Sequence, residues 1–424
     1  MSALPLNPLA LVAVLLTLAA LFGVINHLTL RLPNTIGVLL MSLLSSLAAL
    51  AIDPLIPGVD LHAVSRSLLG RLDLPDAFLN GVLSFLLFAG SLHVNLGALW
   101  ESKLTVLALA TLGTVLAVAM LGGCAFLLFP LAGASVPLIW CIVLGAMLAP
   151  TDPVSVVAML RRIGLPDRLQ ALFAGESLFN DGVGVVCFEG ALAMAMGAAG
   201  TSGGAILNLL LYQALGGALL GLATGFVAVR FLERVDDDTL ELLISLALAT
   251  GTYSLAAGLH MSGPIAVVMA GLSMGSARAR AALSHRGQTV LTEFWSIIDE
   301  VLNALLFLLL GFEVLSVPLH VAALLAAACA IPLSLMIRAA SVLIAAVPML
   351  LRTERSRATV LLLTWGGLRG GITVALALSL PDVPARPLLL TVCYVVVIFT
   401  IVVQGLTMEP LARRLFGGSA RQES

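Results

Sequence analysis

Three acids stand in apolar surroundings where acids are rarely kept. Glu176-Ser177-Leu178-Phe179-Asn180-Asp181 lies inside one hydrophobic stretch, and Thr151-Asp152-Pro153 inside the stretch before it. The chain is 60% hydrophobic and 10% charged over 424 residues, a balance that makes lipid its solvent. An ionisable side chain at the bilayer centre costs about 2.5 to 3.5 kcal/mol on insertion scales, so one that persists marks an ion or proton pathway. Carboxylates with hydroxyls and free carbonyls beside them can hold a proton or coordinate a hard cation stripped of its water.

On a helix, Ser177 and Asp181 share one stripe, and Glu176 and Asn180 form the adjoining one. One face can meet Thr151 and Asp152; the other can meet a cationic side chain. Arg338, well inside a later apolar run, is the candidate, because its guanidinium forks onto a carboxylate and a Glu176–Arg338 pair would satisfy both groups. Arg369 sits in Gly366-Gly367-Leu368-Arg369-Gly370-Gly371, where it would neutralise carbonyls freed at the ends of broken helices, while Asp152 would complement the opposite, positive ends. Asp181 is then left without a dedicated partner and must take up a proton or a cation. Asp181, Asp152, Ser177, Glu176 and the carbonyl of Thr151 could supply oxygen ligands. The competing reading is a packing network of salt bridges; against it, three acids and two bases leave a surplus negative charge in the core.

These groups need helices to position them. Apolar runs of roughly 18 to 28 residues recur along the chain, each long enough to cross a ~30 Å hydrocarbon core. They fall near residues 8–28, 33–50, 78–96, 104–129, 137–160, 170–196, 206–229, 240–258, 262–277, 291–312, 319–348, 358–380 and 388–411, an expectation of about 13 transmembrane helices. Unbroken hydrophobicity argues against a barrel, whose strands alternate, so the expected fold is an all-α polytopic membrane protein. The first run is expected to be a retained helix rather than a leader. No polar stretch is long enough to fold alone, which makes residues 1–424 one transmembrane domain.

Two of the spans are interrupted, one by Pro150 and Pro153 around a polar pair and one by four glycines flanking Leu368 and Arg369. A pair of broken spans at corresponding places points to two inverted repeats, here about 8–196 and 240–411, with discontinuous helices crossing at the midplane. No residue-level repeat accompanies this positional symmetry.

Of the 21 Lys and Arg residues, Arg66, Arg71 and Arg386 fall in outer loops and Arg338 and Arg369 within spans if the N-terminus is outside. All the others are then cytoplasmic, as is the C-terminus. The five cysteines, Cys124, Cys141, Cys187, Cys329 and Cys393, lack metal-ligand spacing and are expected as small buried side chains within spans. His260 and His285 are expected in loops. No basic tract suggests nucleic acid.

With these residues in view, the chain resembles the NhaP-type members of the monovalent cation-proton antiporter superfamily. The resemblance rests on Thr-Asp-Pro at 151–153, Glu-Ser-Leu-Phe-Asn-Asp-Gly-Val from Glu176, Phe-Trp-Ser-Ile-Ile-Asp-Glu-Val-Leu-Asn from Phe294, and the glycine-arginine run from Gly366, in the family's order over nearly the whole length. It implies an antiporter rather than an enzyme, exchanging Na+ or Li+ for H+ in a bacterial-type inner membrane, with no cofactor. It further implies a homodimer whose protomers each have a dimerisation bundle and a core, about 104–196 and 319–411, that moves like an elevator. One-for-one electroneutral exchange is implied by Asn180, where electrogenic relatives carry a second aspartate. The implied ion ligands are Asp181, Asp152, Thr151, Glu176 and Ser177, supported by Asn180, by Arg338 as partner of Glu176 and by Arg369 at the crossing. Glu189 departs from the family's apolar residue; it could line an outer funnel or simply face water. Asp299 and Glu300 read as packing and funnel residues and stand outside the expected ligand set.

Three other readings share parts of this pattern. A K+/H+ exchanger would have every motif, because ligand types alone do not set selectivity. A sodium-coupled organic-anion symporter wants helix N-termini facing an anion, yet this core is rich in acids. An intramembrane aspartyl protease needs two aspartates sharing a proton, a role that the Asn180-Asp181 order and the surrounding motifs do not fit.

Overall fold

A computed structural model describes residues 8–52, 81–152, 154–197, 203–313, 321–346 and 356–416. Regular structure in these residues is helical throughout, with no strand among them. Helix α1 is Pro8–Leu28, α2 Asn34–Ile52, α3 Leu83–Leu92 and α4 the short Leu96–Glu101. Helix α5 runs over Lys103–Ala132, α6 is Leu138–Leu148, α7 Val154–Arg162, α8 Asp167–Ala195 and α9 Gly203–Leu232. There follow α10 (Asp238–Gly258), α11 (Gly263–Met274), α12 (Ala277–Ala282), α13 (His285–Glu313) and α14 (Val321–Ala345). The chain closes with α15 (Ser356–Trp365), α16 (Gly371–Leu378) and α17 (Arg386–Phe416). Seven of the helices are long and apolar enough to cross a bilayer, and five shorter ones are also apolar. Arg66 and Arg71 lie outside the described residues.

Helix ends follow local chemistry. Asn95 accepts hydrogen bonds from the amides of Gly97 and Ala98 to start α4, and Asp237 caps α10 through Leu240 N–H. Ser262 does the same for α11, with Pro264 in its first turn, where no amide partner is needed. The α13 helix begins earlier than its apolar run, so His285 stands in its first turn rather than in a loop. The buried carboxylate of Glu241 on α10 accepts from Ser284 N–H at 3.0 Å and Ser284 Oγ at 3.2 Å, fixing the chain just before that turn.

Packing sorts the helices into two groups. In one, α9 packs on α11, α11 on α3 and α10, and α13 on α2, α3 and α10, with α1 against α2. In the other, α5 packs on α6 and α14, α6 on α8, and α14 and α16 on α17. The α9–α11 contact is the tightest kind. Gly217, Gly221 and Gly225, one turn apart, face α11 so closely that a Cβ at Gly217 would stand 2.6 Å from Ser262 O and one at Gly225 2.6 Å from Ser273 Cβ. Without a hydrophobic drive between helices in lipid, such close backbone approach is what holds them together. The two groups meet where α8 lies against α9 and α11 and where α13 touches α16.

The expectation of buried cysteines holds for Cys141 and Cys393, with Cys124 and Cys187 half-buried, but Cys329 is exposed. It shares a face of α14 with the exposed Leu325 and Met336, an apolar surface that a bilayer would meet.

Candidate functional site

The α6–α7 and α15–α16 pairs are each interrupted by a short non-helical stretch, where the sequence expects a broken span. Chain 149–152 is non-helical after the α6 C-terminus, and 366–370 separates α15 from α16. The two breaks touch: Asp152 N–H donates to Leu368 O at 2.7 Å. Glycine makes the approach possible, since a Cβ at Gly370 would stand 2.5 Å from Asp152 Cβ, and one at Gly184 of α8 2.5 Å from Pro150 Cγ.

Arg369 holds this crossing. Its Nη1 donates to Ala149 O at 2.6 Å and to Pro150 O at 3.0 Å, carbonyls that the break deprives of helical partners. Its own amide donates to Thr400 Oγ1 at 3.1 Å. Thr400 opens a π-helical turn, Thr400–Gln404, in α17, and Gln404 at its end donates to Trp365 O at 2.8 Å. Such turns recur at functional sites because the widened coil redirects side chains.

Helix α8 carries the acids. Glu176, Ser177, Asn180 and Asp181 are each at least 96% buried. Glu176 Oε1 meets Arg338 Nη1 of α14 at 2.5 Å, and Arg338 Nη2 donates to Leu363 O at 3.1 Å. Asn180 both donates and accepts across to the break: its Nδ2 donates to Thr151 Oγ1 at 2.8 Å, and its Oδ1 accepts from Thr151 N–H at 3.2 Å. Thr151 Oγ1 also shares a hydrogen bond with Ser177 Oγ at 3.0 Å. A carboxylate at 180 could not make both bonds, because it has no donor at neutral pH.

Asp181 differs from these neighbours. Its Oδ1 has no hydrogen-bond partner, and no cationic side chain among the described residues lies in salt-bridge contact with it. It opens onto a small cavity of about 40 Å³ walled by Thr151, Asp152 and Asp181 on one side, by Gly370, Gly371 and Thr373 of the second break on another, and by Asp299 and Asn303 of α13 on the third. That is room for a water molecule or a small ion, since one water needs about 10 to 15 Å³.

Of the five expected ligands, Thr151, Asp152 and Asp181 line this cavity; Ser177 reaches it through the Thr151 hydroxyl, and Glu176 is turned to Arg338. Asp299, left outside the expected set, is on the wall, and Asn303 Nδ2 donates to its carbonyl at 3.0 Å and its Oδ1 at 3.2 Å. Glu300, by contrast, is exposed. Asp299 and Asn303 are four apart, a shared-face spacing that could have been read from the sequence. Glu189 is also exposed, and Gln213 Nε2 of α9 donates to its carboxylate at 3.3 Å.

Comparison with known proteins places this arrangement. A family model described as sodium/hydrogen exchanger, transmembrane, matches residues 13–414. The chain is 38% identical to the Na+/H+ antiporter NhaP of Pseudomonas aeruginosa over 98% of its own length and 99% of that protein's. It is 34% identical to the Na+/H+ antiporter NhaH of Halobacillus dabanensis, covering 90% of this chain and 92% of that one. Among solved structures, the sodium proton antiporter MjNhaP1 of Methanocaldococcus jannaschii superposes with a TM-score of 0.74 over 96% of this chain and 97% of its own, at 20% identity, which establishes a shared fold. With its crossed breaks and its acid-bearing α8 inside the matched region, this multi-pass membrane protein belongs to the transmembrane sodium/hydrogen exchanger family.

Proposed function

We propose that the protein exchanges Na+ or Li+ for H+ across a bacterial-type inner membrane by letting the two ions compete for Asp181. The observation that carries this reading is the unpartnered Asp181 Oδ1 on a water-sized cavity, beside a second acid, Glu176, already tied to Arg338. Within the group that carries both breaks, Asp152, Glu176 and Asp181 face Arg338 and Arg369, a balance of one negative charge, with Asp299 of the other group counted apart on the far wall of the cavity. One monovalent cation or one proton neutralises it equally, which supports electroneutral one-for-one exchange. Asn180 keeps the stoichiometry at one, since its amide bonds to Thr151 occupy the position without adding a titrating group.

The cation's oxygen ligands in this reading are Asp181, Asp152, Thr151, Ser177 and Glu176, with Asn180, Arg338 and Arg369 holding them in place. Both broken spans belong to the group built on α5, α6, α8, α14 and α17, which would carry the site past the other group as an elevator. That second group, with exposed apolar side chains on α1 and α9, would form the homodimer contact. Thirteen crossings with the N-terminus outside and the C-terminus cytoplasmic fit the distribution of Lys and Arg.

The test is dissipation of a pH gradient in proteoliposomes by Na+, Li+ and K+, with the membrane potential clamped and unclamped. Dissipation by Na+ or Li+ that ignores the potential supports the reading. Dependence on potential overturns the one-for-one stoichiometry, and a response to K+ alone overturns the ion.

A further inference from the structure

Thr373 is completely buried on α16, and its hydroxyl has no hydrogen-bond partner. It is the one buried Ser or Thr hydroxyl among the described residues in that position. A helical hydroxyl ordinarily donates to a carbonyl three or four residues back, as Thr391 does to Pro387 O at 2.8 Å and Thr400 to Val397 O at 2.9 Å. Three and four residues before Thr373 stand Gly370 and Arg369, both in the non-helical break ahead of α16; the Gly370 carbonyl accepts from Val374 N–H at 3.4 Å, and Thr373 Oγ1 bonds to neither. An orphaned buried hydroxyl costs about 1 to 3 kcal/mol, so a persistent one calls for a partner that comes and goes.

The wall that Thr373 helps to form supplies the context. Of the described residues lining the small cavity at the crossing, only Asp181 and Thr373 present buried side-chain polar atoms without partners. Asp181 comes from α8 and Thr373 from α16. A threonine oxygen has two lone pairs and no charge, so it can coordinate a hard cation without altering the charge balance.

We propose that Thr373 Oγ1 is a direct ligand of the transported cation, supplied by the second broken span opposite the ligands of the first. The assignment rests on the exchange reading above and deepens it: the dehydrated ion touches both broken spans, and its binding pins α16 against α8. When a proton replaces the ion, the hydroxyl loses its partner.

The shape of the side chain separates ligation from packing. Thr373→Val keeps the volume and removes the oxygen, whereas Thr373→Ser keeps the oxygen and removes a methyl. The experiment titrates Na+ against the melting temperature of the purified full-length protein in detergent, with choline holding ionic strength constant. Thr373→Val is expected to raise the half-saturating Na+ about tenfold, and Thr373→Ser to stay within about twofold of wild type. If Thr373→Val does not fold, Thr373→Ala takes its place with the same expected weakening. Wild-type affinity in the Val or Ala variant, or a Ser variant as weak as Val, overturns the assignment, as does a wild-type protein that shows no Na+ response.

Flux through the same preparations in proteoliposomes distinguishes the two readings. Wild-type protein that binds Na+ through Thr373 but exchanges nothing leaves the ligand standing and sinks the antiport reading. Normal exchange with an unaltered Val variant does the reverse.

Discussion

Asp152 and Leu368 are hydrogen-bonded backbone to backbone at 2.7 Å, although 216 positions separate them, and this contact joins the two interrupted spans main chain to main chain. The charged groups of the crossing are arranged around it. Arg369 binds the carbonyls just before Asp152, and Asp181 faces the space just beyond.

The crossing tolerates no added methyl group. Gly370→Ala would press a Cβ to 2.5 Å from Asp152 Cβ, where overpacking costs about 1 to 3 kcal/mol and moves the carboxylate. Exchange should fall more than tenfold while the protein still elutes as a folded species. A variant that transports at the wild-type rate would show that the breaks can separate freely.

Asp181→Asn should abolish exchange with little change in melting temperature, because the amide fills the same space and no arginine loses a partner. Counterflow of labelled Na+ in proteoliposomes is the readout; residual exchange at the normal rate would remove Asp181 from the centre of the reading.

Competition for one carboxylate fixes the pH dependence. As pH falls, the apparent KM for Na+ should rise, approaching tenfold per pH unit once the site is mostly protonated, while the maximal rate at saturating Na+ changes far less. Initial rates over a grid of pH and Na+ test this. A maximal rate that collapses with pH at constant KM would point to a separate sensor.

Arg338→Ala strands Glu176 in a dry core, and breaking a buried pair in this way costs about 3 to 5 kcal/mol. Folded yield and melting temperature should both drop. The double variant Arg338→Met with Glu176→Gln should recover part of the loss, which a purely steric role for Arg338 would not allow.

At the end of α9, Arg278 Nε donates to Glu233 Oε1 at 2.7 Å and, with a lesser contribution from Arg230, holds that carboxyl below its ordinary value of 4.5. The stability it contributes is therefore present above 4.5 and disappears as pH falls through the lower folded value. The contact is solvent-screened, so the effect is small. The difference in melting temperature between wild type and Glu233→Gln should shrink on acidification and in high salt; a difference that grew would reverse the sign.

Much of this was legible in the chain. Prolines 150 and 153 and the glycines around Arg369 announce interrupted helices because their local chemistry forbids regular ones. Glu176 and Arg338 could be paired because a core with so few charges offers few partners. What escaped the sequence depends on tertiary placement. The face of α13 that brings Asp299 and Asn303 to the cavity is set by how that helix lies on α2 and α16, and the orphaning of Thr373 by where the break ends. His285 joined a helix because Glu241, 44 positions earlier, fixes the preceding turn. Cys329 is apolar enough for a span, yet composition alone does not say which side of a helix faces lipid.

The π turn at Thr400–Gln404 gives α17 one residue more than regular winding requires. Wound as an ordinary helix with all its residues kept, the same stretch would turn everything downstream by about 100°. Met408 and Ala412, now buried, would rotate off the core, and Gln404 would let go of Trp365. The last helix thus keeps its inner face in register by being wound slightly too wide, and a perfectly regular version of it would be the misfitted one.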